Sequence, residues 1–367
     1  MQLTDRLTER FLRYISCPSE SGNERDMCLL LEEELERLGL TVRREEIGGG
    51  FGSNGWNIYT CLEGAGRPLL LSAHMDTVRP GDPVRPVLDG DTIRTDGSTV
   101  LGADDKAGVA VIMETLESLI ETGDTHRTVE VLFTVGEETG LNGSKRADYR
   151  KIRSRQAVSF DGSGIGRIVT KNAIHEVLQV TVRGKAAHSG LNCDKGIHAL
   201  CCAAEAVAAI GSGHMDADTT LNTANFLCPG AVNVVPDLAT FEIELRCFSE
   251  ELLEKHKDRI RRILDEKTAA SGSAYSIRET RTSPGMDLPD SDPLIGLVSG
   301  VMRQAGLSPV LKRGYGGHDA VSFTANGLSG VNVGVGYLNA HGPDERISVS
   351  DLKKAADFAA LLVRTLD

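Results

Sequence analysis

Short unbroken apolar runs alternate with helical segments along much of the chain, and this alternation most strongly limits the possible folds. The runs lie at 57–62, 68–73, 129–135 and 157–160. A helical segment over 105–123 separates the second run from the third. Strands that are apolar on both faces, interleaved with helices, are typical of a sheet covered on both sides. The sequence therefore predicts an α/β unit with a largely parallel sheet.

The pattern changes near residue 173, where apolar and polar residues begin to alternate. Strands are expected over 176–184, 219–228 and 239–248, with helices over 196–210 and 250–270. Half-exposed strands of this kind predict a small α+β domain with an antiparallel sheet. The α/β pattern returns near residue 288. The sequence thus predicts a larger domain formed by 1–172 and 284–367, interrupted by an inserted domain over 173–283. A helix over 3–15 and a glycine-rich loop over 48–55 are also expected.

An excess of carboxylates limits the partners of this chain. Its 40 Lys and Arg against 52 Asp and Glu give a net charge of -12. Nucleic acid and anionic membranes attract clustered basic residues, so neither is expected as a partner. No run approaches the roughly 18 apolar residues of a membrane span, and no secretory leader is evident. The eight Cys contain no CxxC pair, so we expect reduced thiols in a cytoplasmic protein.

Polar residues that commonly bind metals occur at five points, four of them after predicted strands and one at the start of a helix. They are His74 with Asp76, Asp104 with Asp105, Glu137 with Glu138, Asp161 and His341. Taken singly, each is better explained by a cap or a turn than by a metal. Gathered at the carboxyl edge of one sheet, they would repel one another without a cation. Imidazole and carboxylate ligands suit zinc, manganese or cobalt, and two ions sharing a carboxylate would lie about 3.5–4 Å apart.

The order of the motifs along nearly the whole chain resembles one family of hydrolases. The motifs are SAHMDTV, LGADDKAG, FTVGEETG, SFDG, AAHSG and GGHDA, with a late His before a Glu. They resemble the dinuclear zinc aminoacylase, carboxypeptidase and tripeptidase family, above all its peptidase T-like branch. The resemblance implies zinc-peptidase architecture and two divalent ions, zinc in the first place, with cobalt or manganese as alternatives.

The resemblance also implies a role for each of these residues. One metal ion would be bound by His74, Asp104 and Asp161, and the second by Asp104, Glu138 and His341. Asp76 would orient His74, and Glu137 would act as general base toward a metal-bridging hydroxide. Glu137 and Glu138 could divide these roles if the chain is extended there, because successive side chains then point to opposite sides. The Asp104–Asp105 peptide bond would be cis.

For the inserted domain, the resemblance implies homodimerisation and closure over the substrate. Substrate contacts are implied for His188, His198, Asn233, Arg246 and, in the loop of the larger domain, Gly317. An Arg can bind a carboxylate through two hydrogen bonds, and a His or Asn can donate to an oxyanion. Two alternatives stay open: Arg246 pairs with Glu242 or Glu244, and His198 packs on its Ala-rich helix. His318 stands where the family has Ser or Thr, and it either alters specificity or points outward.

Together these features predict a cytoplasmic, dinuclear metal-dependent hydrolase of short peptides. The favoured activity is that of an aminopeptidase of the tripeptidase type. A carboxypeptidase or N-acyl-amino-acid amidohydrolase of the same fold is the first alternative. A non-catalytic binding protein is the second, although such a protein would be expected to have lost at least one ligand, and all five ligands and the general base are present.

Overall fold

The computed structural model describes residues 5–47 and 52–366. The predicted start of the first helix, at residue 3, and positions 48–51 of the glycine-rich loop lie outside these ranges. The chain divides into two compact units, Met1–Thr170 with Asp287–Asp367, and Lys171–Met286. The smaller unit thus begins two residues before, and ends three residues after, the inserted domain expected from the sequence.

Helices and strands follow one another through both units. The larger unit begins with α1 (Arg6–Ile15), α2 (Arg25–Arg37), β1 (Arg43–Glu45), β2 (Asn57–Leu62), β3 (Gly66–His74), β4 (Pro86–Asp89), β5 (Thr92–Thr95), α3 (Ala103–Thr122), β6 (Arg127–Thr134), α4 (Asn142–Arg146), β7 (Gln156–Ser159) and β8 (Arg167–Asn172). Then come β9 (Ile174–Arg183), α5 (Ala199–Ile210), β10 (Gly213–Asp216), β11 (Thr219–Leu227), β12 (Leu238–Cys247), α6 (Glu250–Ser271) and β13 (Ala274–Ser283). The chain ends with β14 (Met286–Asp287), α7 (Pro293–Gln304), β15 (Val310–Gly314), α8 (Asp319–Ala325), β16 (Ser329–Val333), β17 (Arg346–Ser348) and α9 (Val349–Arg364).

The main sheet of the larger unit has the order β1-β2-β6-β3-β7-β16-β8-β14, and β15 also pairs with β8. Its middle strands β6, β3, β7 and β16 run parallel. The α/β class is therefore confirmed, but strands β2 and β8, which flank the parallel strands, pair with them in the antiparallel direction. The strand at 57–62 is antiparallel to β6. Only three residues link β2 to β3, whereas a parallel connection needs roughly a dozen or more, so β2 must run opposite to β3.

The four parallel strands bring their carboxyl ends to one edge of the sheet. His74, the last residue of β3, pairs with Thr134, the last residue of β6. Helix α3 approaches this edge closely at Gly108, where a Cβ atom would lie only 2.0 Å from the carbonyl oxygen of Phe160. Because glycine allows this approach, the second turn of α3 lies beside the loop that follows β7.

The smaller unit contains a five-stranded antiparallel sheet of order β10-β11-β12-β9-β13. Buried and half-buried residues alternate strictly along β12, and α5 and α6 contribute Ala203, Ile260 and Leu264 to the apolar core of this unit. The α+β class predicted for this region is confirmed. Strand β13 was not predicted, because its sequence AYSIRETRTS is polar and mostly exposed at the sheet edge. Within the described ranges, every helix is too short or too polar to cross a membrane.

Candidate metal centre

Asp104 lies between two histidines at the carboxyl edge of the parallel strands. Its Oδ1 atom is 3.1 Å from Nε2 of His74, and its Oδ2 atom is 3.3 Å from Nε2 of His341. His74 ends β3, Asp104 is the second residue of α3, and His341 follows β16 by eight residues. One carboxylate therefore presents a separate oxygen to each histidine, as a bridging ligand would.

Two overlapping groups of donor atoms meet at Asp104. One group comprises His74, Asp104 and Asp161, and the other comprises Asp104, Glu138 and His341; within each, the donor atoms lie within 4.8 Å of one another. In the second group, Nε2 of His341 lies 2.9 Å from Oε1 of Glu138. The two groups coincide with the ligand sets implied by the sequence resemblance. Imidazole nitrogen with carboxylate oxygen fits zinc and similar divalent ions.

The peptide bond between Asp104 and Asp105 is cis, which confirms that expectation. Asp104 has non-helical backbone angles although it lies at the start of α3. Asp105 is directed elsewhere, since its carboxylate accepts hydrogen bonds from the backbone N–H groups of His74 and Gly108, both at 3.2 Å. Adjacent aspartates thus serve different purposes: Asp104 faces the histidines, and Asp105 fastens α3 to the end of β3.

Asp76 is fully buried and connects the two loops that carry the cluster. Its carboxylate accepts hydrogen bonds from the backbone N–H groups of Glu137 and Glu138, at 2.9 and 3.2 Å, and from the hydroxyl of Ser21 at 2.7 Å. The ring nitrogen Nδ1 of His74 lies 2.9 Å from the carbonyl oxygen of Asp76 and 3.5 Å from its carboxylate. The closest partner of the His74 ring is therefore the main chain of Asp76, whereas the sequence pointed to the side chain.

Glu137 and Glu138 follow β6 in a tight turn, which corrects the expectation of extended chain at this point. The carbonyl oxygen of Glu137 accepts the backbone N–H groups of Gly140 and Leu141, at 2.9 and 2.8 Å. The turn forms because Gly136 adopts a positive φ of 60°. As a result, both glutamates can approach His74, and one donor atom of each lies within 4.8 Å of it.

Buried carboxylates dominate the electrostatics of the cluster. Burial raises the pKa of Glu137 well above its usual range, and burial together with nearby Asp104 does the same for Asp161. The hydrogen bonds with Asp104 and Glu138 raise the pKa of His341 to about 10. Burial opposes ionisation of Asp104, but hydrogen bonds from His341 and His74 lower its pKa. The cluster therefore retains protons in the absence of cations, and divalent ions would displace them.

Glu345 contacts the loop of Asp104, and the sequence indicated it only as the Glu after the late His. Its buried carboxylate accepts hydrogen bonds from the backbone N–H groups of Leu101, Gly102 and Asp104, at 2.7, 2.8 and 2.9 Å. Burial raises its pKa to about 7. Glu345 follows His341 by four residues, so it ties the loop of one histidine to the loop of the bridging aspartate. In the sequence, the spacing of His341 and Glu345 was the signal that could have identified Glu345.

We expect Glu345→Gln to weaken zinc binding about 10- to 100-fold, as is typical when a group supporting the ligands is lost. A glutamine offers one acceptor oxygen, and its NH₂ group would face a backbone N–H instead of accepting from it. Competition titration against a chromogenic chelator measures this affinity. Glu46→Gln, an exposed substitution outside these contacts, is the matched control. Unchanged affinity in Glu345→Gln would show that the three N–H bonds do not hold Asp104 in place.

The inserted unit holds the other predicted substrate residues, and each has partners within that unit. Nδ1 of His188 accepts the backbone N–H groups of Gly190 and Leu191, and Nδ1 of His198 caps α5 through the N–H of Cys201. The backbone carbonyl of Asn233 accepts the N–H of Ser189 at 3.0 Å, which joins the segments of His188 and Asn233. A substrate role for these three residues stays a prediction.

Arg246 forms a bidentate pair with Glu244, with distances of 3.0 and 3.1 Å. One of the alternatives considered from sequence is thus present in the structure. His318 is 5% exposed, so the alternative that it points outward is wrong. It lies at the start of α8, whose first residue, Asp319, is itself buried. Gly317 borders the cavity at the metal cluster.

That cavity has a volume of about 500 Å³ and opens directly onto the cluster. Asp104, Glu137, Glu138, Asp161 and His341 all contribute to its wall. The hydroxyl of Tyr337, another wall residue, donates a 2.9 Å hydrogen bond to Oδ1 of Asp161. A space of this size, with convergent ligands and a buried glutamate in its wall, suits a small substrate beside the metal ions.

The fold and the ligand set define a metal-dependent hydrolase. The chain belongs to peptidase family M20/M25/M40, whose family model matches residues 70–365. It is similar to the aminopeptidase PepT from Bacillus cereus, with 30% identity, coverage of 98% of this chain and 97% of that one, and a TM-score of 0.91. A tripeptidase from Staphylococcus aureus gives 28% identity, the same coverage and a TM-score of 0.92. Peptidase T of Escherichia fergusonii is 27% identical over 96% of each chain.

Proposed function

We propose that this metallopeptidase removes the N-terminal residue from short peptides, tripeptides above all, using two zinc ions. The observation that carries the proposal is the pair of ligand groups that share Asp104. The similarity to an aminopeptidase and to a tripeptidase over almost the whole chain supports the choice of substrate. The eight free thiols favour a reducing compartment, in keeping with the cytoplasmic location predicted from the sequence.

The residues fit a pair of divalent ions on the chemistry of their donor atoms. His74, Asp104 and Asp161 would hold one ion, and Asp104, Glu138 and His341 the other. When bound, such ions polarise the scissile carbonyl and make a coordinated water acidic near neutral pH. Cobalt and manganese prefer the same nitrogen and oxygen donors, so they are the alternatives to zinc.

Glu137 is the proposed general base. Its carboxylate lies beside the cluster and borders the cavity, so it can take a proton from the attacking water and deliver it to the leaving amine. Burial raises its pKa, which is the direction that favours proton uptake. Asp76 holds the backbone N–H groups of Glu137 and Glu138, so it positions the base and a ligand together. It also lies against the ring of His74 and fixes the orientation of that ligand.

The proposal includes a homodimer formed through the inserted unit, with His188, His198, Asn233 and Arg246 in contact with the peptide. Arg246 could bind a substrate carboxylate only by exchanging its present partner, Glu244. Light scattering coupled to size-exclusion chromatography measures the oligomeric state. A mass of one chain at micromolar concentration would remove the dimer from the proposal without affecting the metal centre.

A panel of small substrates tests the activity. We expect the zinc-loaded protein to cleave trialanine at its first peptide bond and to reject N-acetyl-trialanine, because an aminopeptidase requires the free amine. Mass spectrometry of the products of trialanine with an isotopically labelled first residue identifies the bond that is cut, because the label appears in free alanine only if the first bond is hydrolysed. Release of the C-terminal residue would indicate a carboxypeptidase, and cleavage of N-acetyl amino acids would indicate an amidohydrolase. Binding without cleavage of any member would favour the non-catalytic alternative.

A further inference from the structure

A buried glutamate, Glu24, lies behind the turn that carries Glu137. Glu24 is fully buried and comes just before α2, whose residues are all described. Its side chain makes no capping hydrogen bond to that helix. Burying a carboxylate costs free energy unless the group is hydrogen-bonded. The hydrogen bonds that Glu24 does make, away from its own helix, therefore indicate what it does.

One of these hydrogen bonds reaches the turn of Glu137 directly. Oε1 of Glu24 accepts the backbone N–H of Gly136 at 3.2 Å. The next two N–H groups along the chain, those of Glu137 and Glu138, are accepted by Asp76. Three successive N–H groups of the turn are thus held by two buried carboxylates, and Glu24 holds the first of the three.

The side chain of Glu24 is fixed in this position by its surroundings. Its Oε2 atom accepts a hydrogen bond from the hydroxyl of Ser53. Gly55 packs between Glu24 and Val135, where a Cβ atom would lie 3.0 Å from Cβ of Glu24 and 3.2 Å from Cγ1 of Val135. The carboxylate therefore stays beside the residue that follows Val135, which is Gly136.

The short segment before α2 also supports Asp76. The hydroxyl of Ser21 donates a 2.7 Å hydrogen bond to Oδ2 of Asp76. The N–H of Ser21 donates to the carbonyl oxygen of Thr77, and the N–H of Thr77 donates to that of Ser19, both at 3.0 Å. Both carboxylates that hold the turn are therefore connected through one short segment of chain.

We propose that Glu24 is a positioning residue for the general base: by holding the N–H of Gly136, it fixes the turn and directs the carboxylate of Glu137 towards the cavity that it borders. This inference rests on the proposed peptidase function. A general base must reach the attacking water within hydrogen-bond distance, and a misplacement of about 1 Å can lower a rate roughly 100-fold. Glu24 thus acts on the reaction through the turn.

Two substitutions of Glu24 separate its hydrogen bond from its charge. Alanine leaves the N–H of Gly136 without this acceptor, whereas glutamine keeps an acceptor oxygen at the same reach. Glu36→Ala, an exposed change within α2, is the matched control. Three quantities would be measured on the same zinc-loaded preparations: steady-state kinetics with trialanine, bound zinc, and hydrogen–deuterium exchange of peptides that span 135–141.

We expect Glu24→Ala to lower kcat about 10- to 100-fold while bound zinc stays at the wild-type level. The amides of 136–138 should exchange faster in this variant, whereas Glu24→Gln and Glu36→Ala should match the wild type in all three measurements. Glu24→Asp keeps a carboxylate but withdraws it by one methylene group, so it should behave like Glu24→Ala and replaces it if the alanine variant does not fold.

A double substitution separates positioning of the base from general support of the fold. In the Glu137→Gln protein, adding Glu24→Ala should cause no further loss of kcat, because the carboxylate through which Glu24 acts is already absent. An equal loss of kcat in the wild-type and Glu137→Gln backgrounds would mean that Glu24 supports the fold only, and would overturn the proposal.

Three other results would also overturn the positioning role. Unchanged kcat and exchange in Glu24→Ala would show that the bond to Gly136 does not fix the turn. Loss of zinc along with kcat would place the effect on the metal ligands. Equal impairment of Glu24→Gln and Glu24→Ala would assign the effect to the charge. If zinc-loaded wild-type protein cleaves no peptide while Glu24→Ala still speeds exchange at 136–138, the proposed function fails and the hold of Glu24 on the turn stands.

Discussion

Glu137→Gln is expected to lower kcat for trialanine hydrolysis about 100- to 10,000-fold, the usual contribution of a positioned general base. The amide keeps the size of the side chain but cannot take a proton from the attacking water. Glu137 belongs to neither of the ligand groups that share Asp104, so the variant should bind as much zinc as the wild type. Steady-state kinetics and elemental analysis of the same preparation measure both quantities.

The matched control for this variant is Glu33→Gln, a substitution at a side chain that is 75% exposed. It removes the same charge far from the cluster and should leave kcat unchanged. Glu137→Gln with full zinc and at least one tenth of the wild-type kcat would contradict the role of Glu137 as the base. Loss of zinc along with activity would instead make Glu137 a ligand, through its group with His74 and Glu138.

Asp104→Asn is expected to abolish activity and to weaken the binding of both metal ions. Each carboxylate oxygen of Asp104 faces a different histidine, and an amide nitrogen cannot replace an anionic oxygen ligand. The loss of affinity should exceed the roughly 10- to 100-fold that follows when only an outer partner is removed. Equilibrium dialysis against zinc, followed by elemental analysis, measures the number of ions bound.

Two further variants make this result specific. His341→Ala removes a ligand from one group only. It should therefore lower the affinity for one ion and leave the affinity for the other unchanged. Asp290→Asn, an exposed substitution outside the cluster, should bind two ions. If Asp104→Asn lost a single ion and behaved like His341→Ala, Asp104 would not bridge the two positions.

The gathering of candidate ligands could be predicted because unbroken apolar runs indicate parallel strands, and parallel strands end at one edge. The assignment of the ligand sets followed from the family resemblance. His74 and Asp161 follow such runs directly and Glu138 follows one by three residues, so their proximity needed only the fold class. The direction of the flanking strands was harder to predict from the sequence. An apolar run at 57–62 has the same composition whether it pairs parallel or antiparallel, and only the short link from β2 to β3 decides the matter.

Other parts of the site depend on contacts that no local pattern encodes. Glu345 acts through three backbone N–H groups more than 240 positions away, and these N–H groups converge only in the folded loop. Arg246 could be assigned to a substrate or to Glu244 from its sequence neighbours, and only the structure shows the pair with Glu244.

The central claim is that two metal ions at Asp104 are needed for peptide hydrolysis, and a zinc titration of the metal-free protein tests it directly. Protein freed of metal by chelation and dialysis would receive zinc stepwise while trialanine cleavage and bound zinc are measured together. We predict no cleavage without zinc and maximal cleavage when two ions are bound per chain. Cleavage that persists without metal, or that is maximal with one ion bound, would contradict the account.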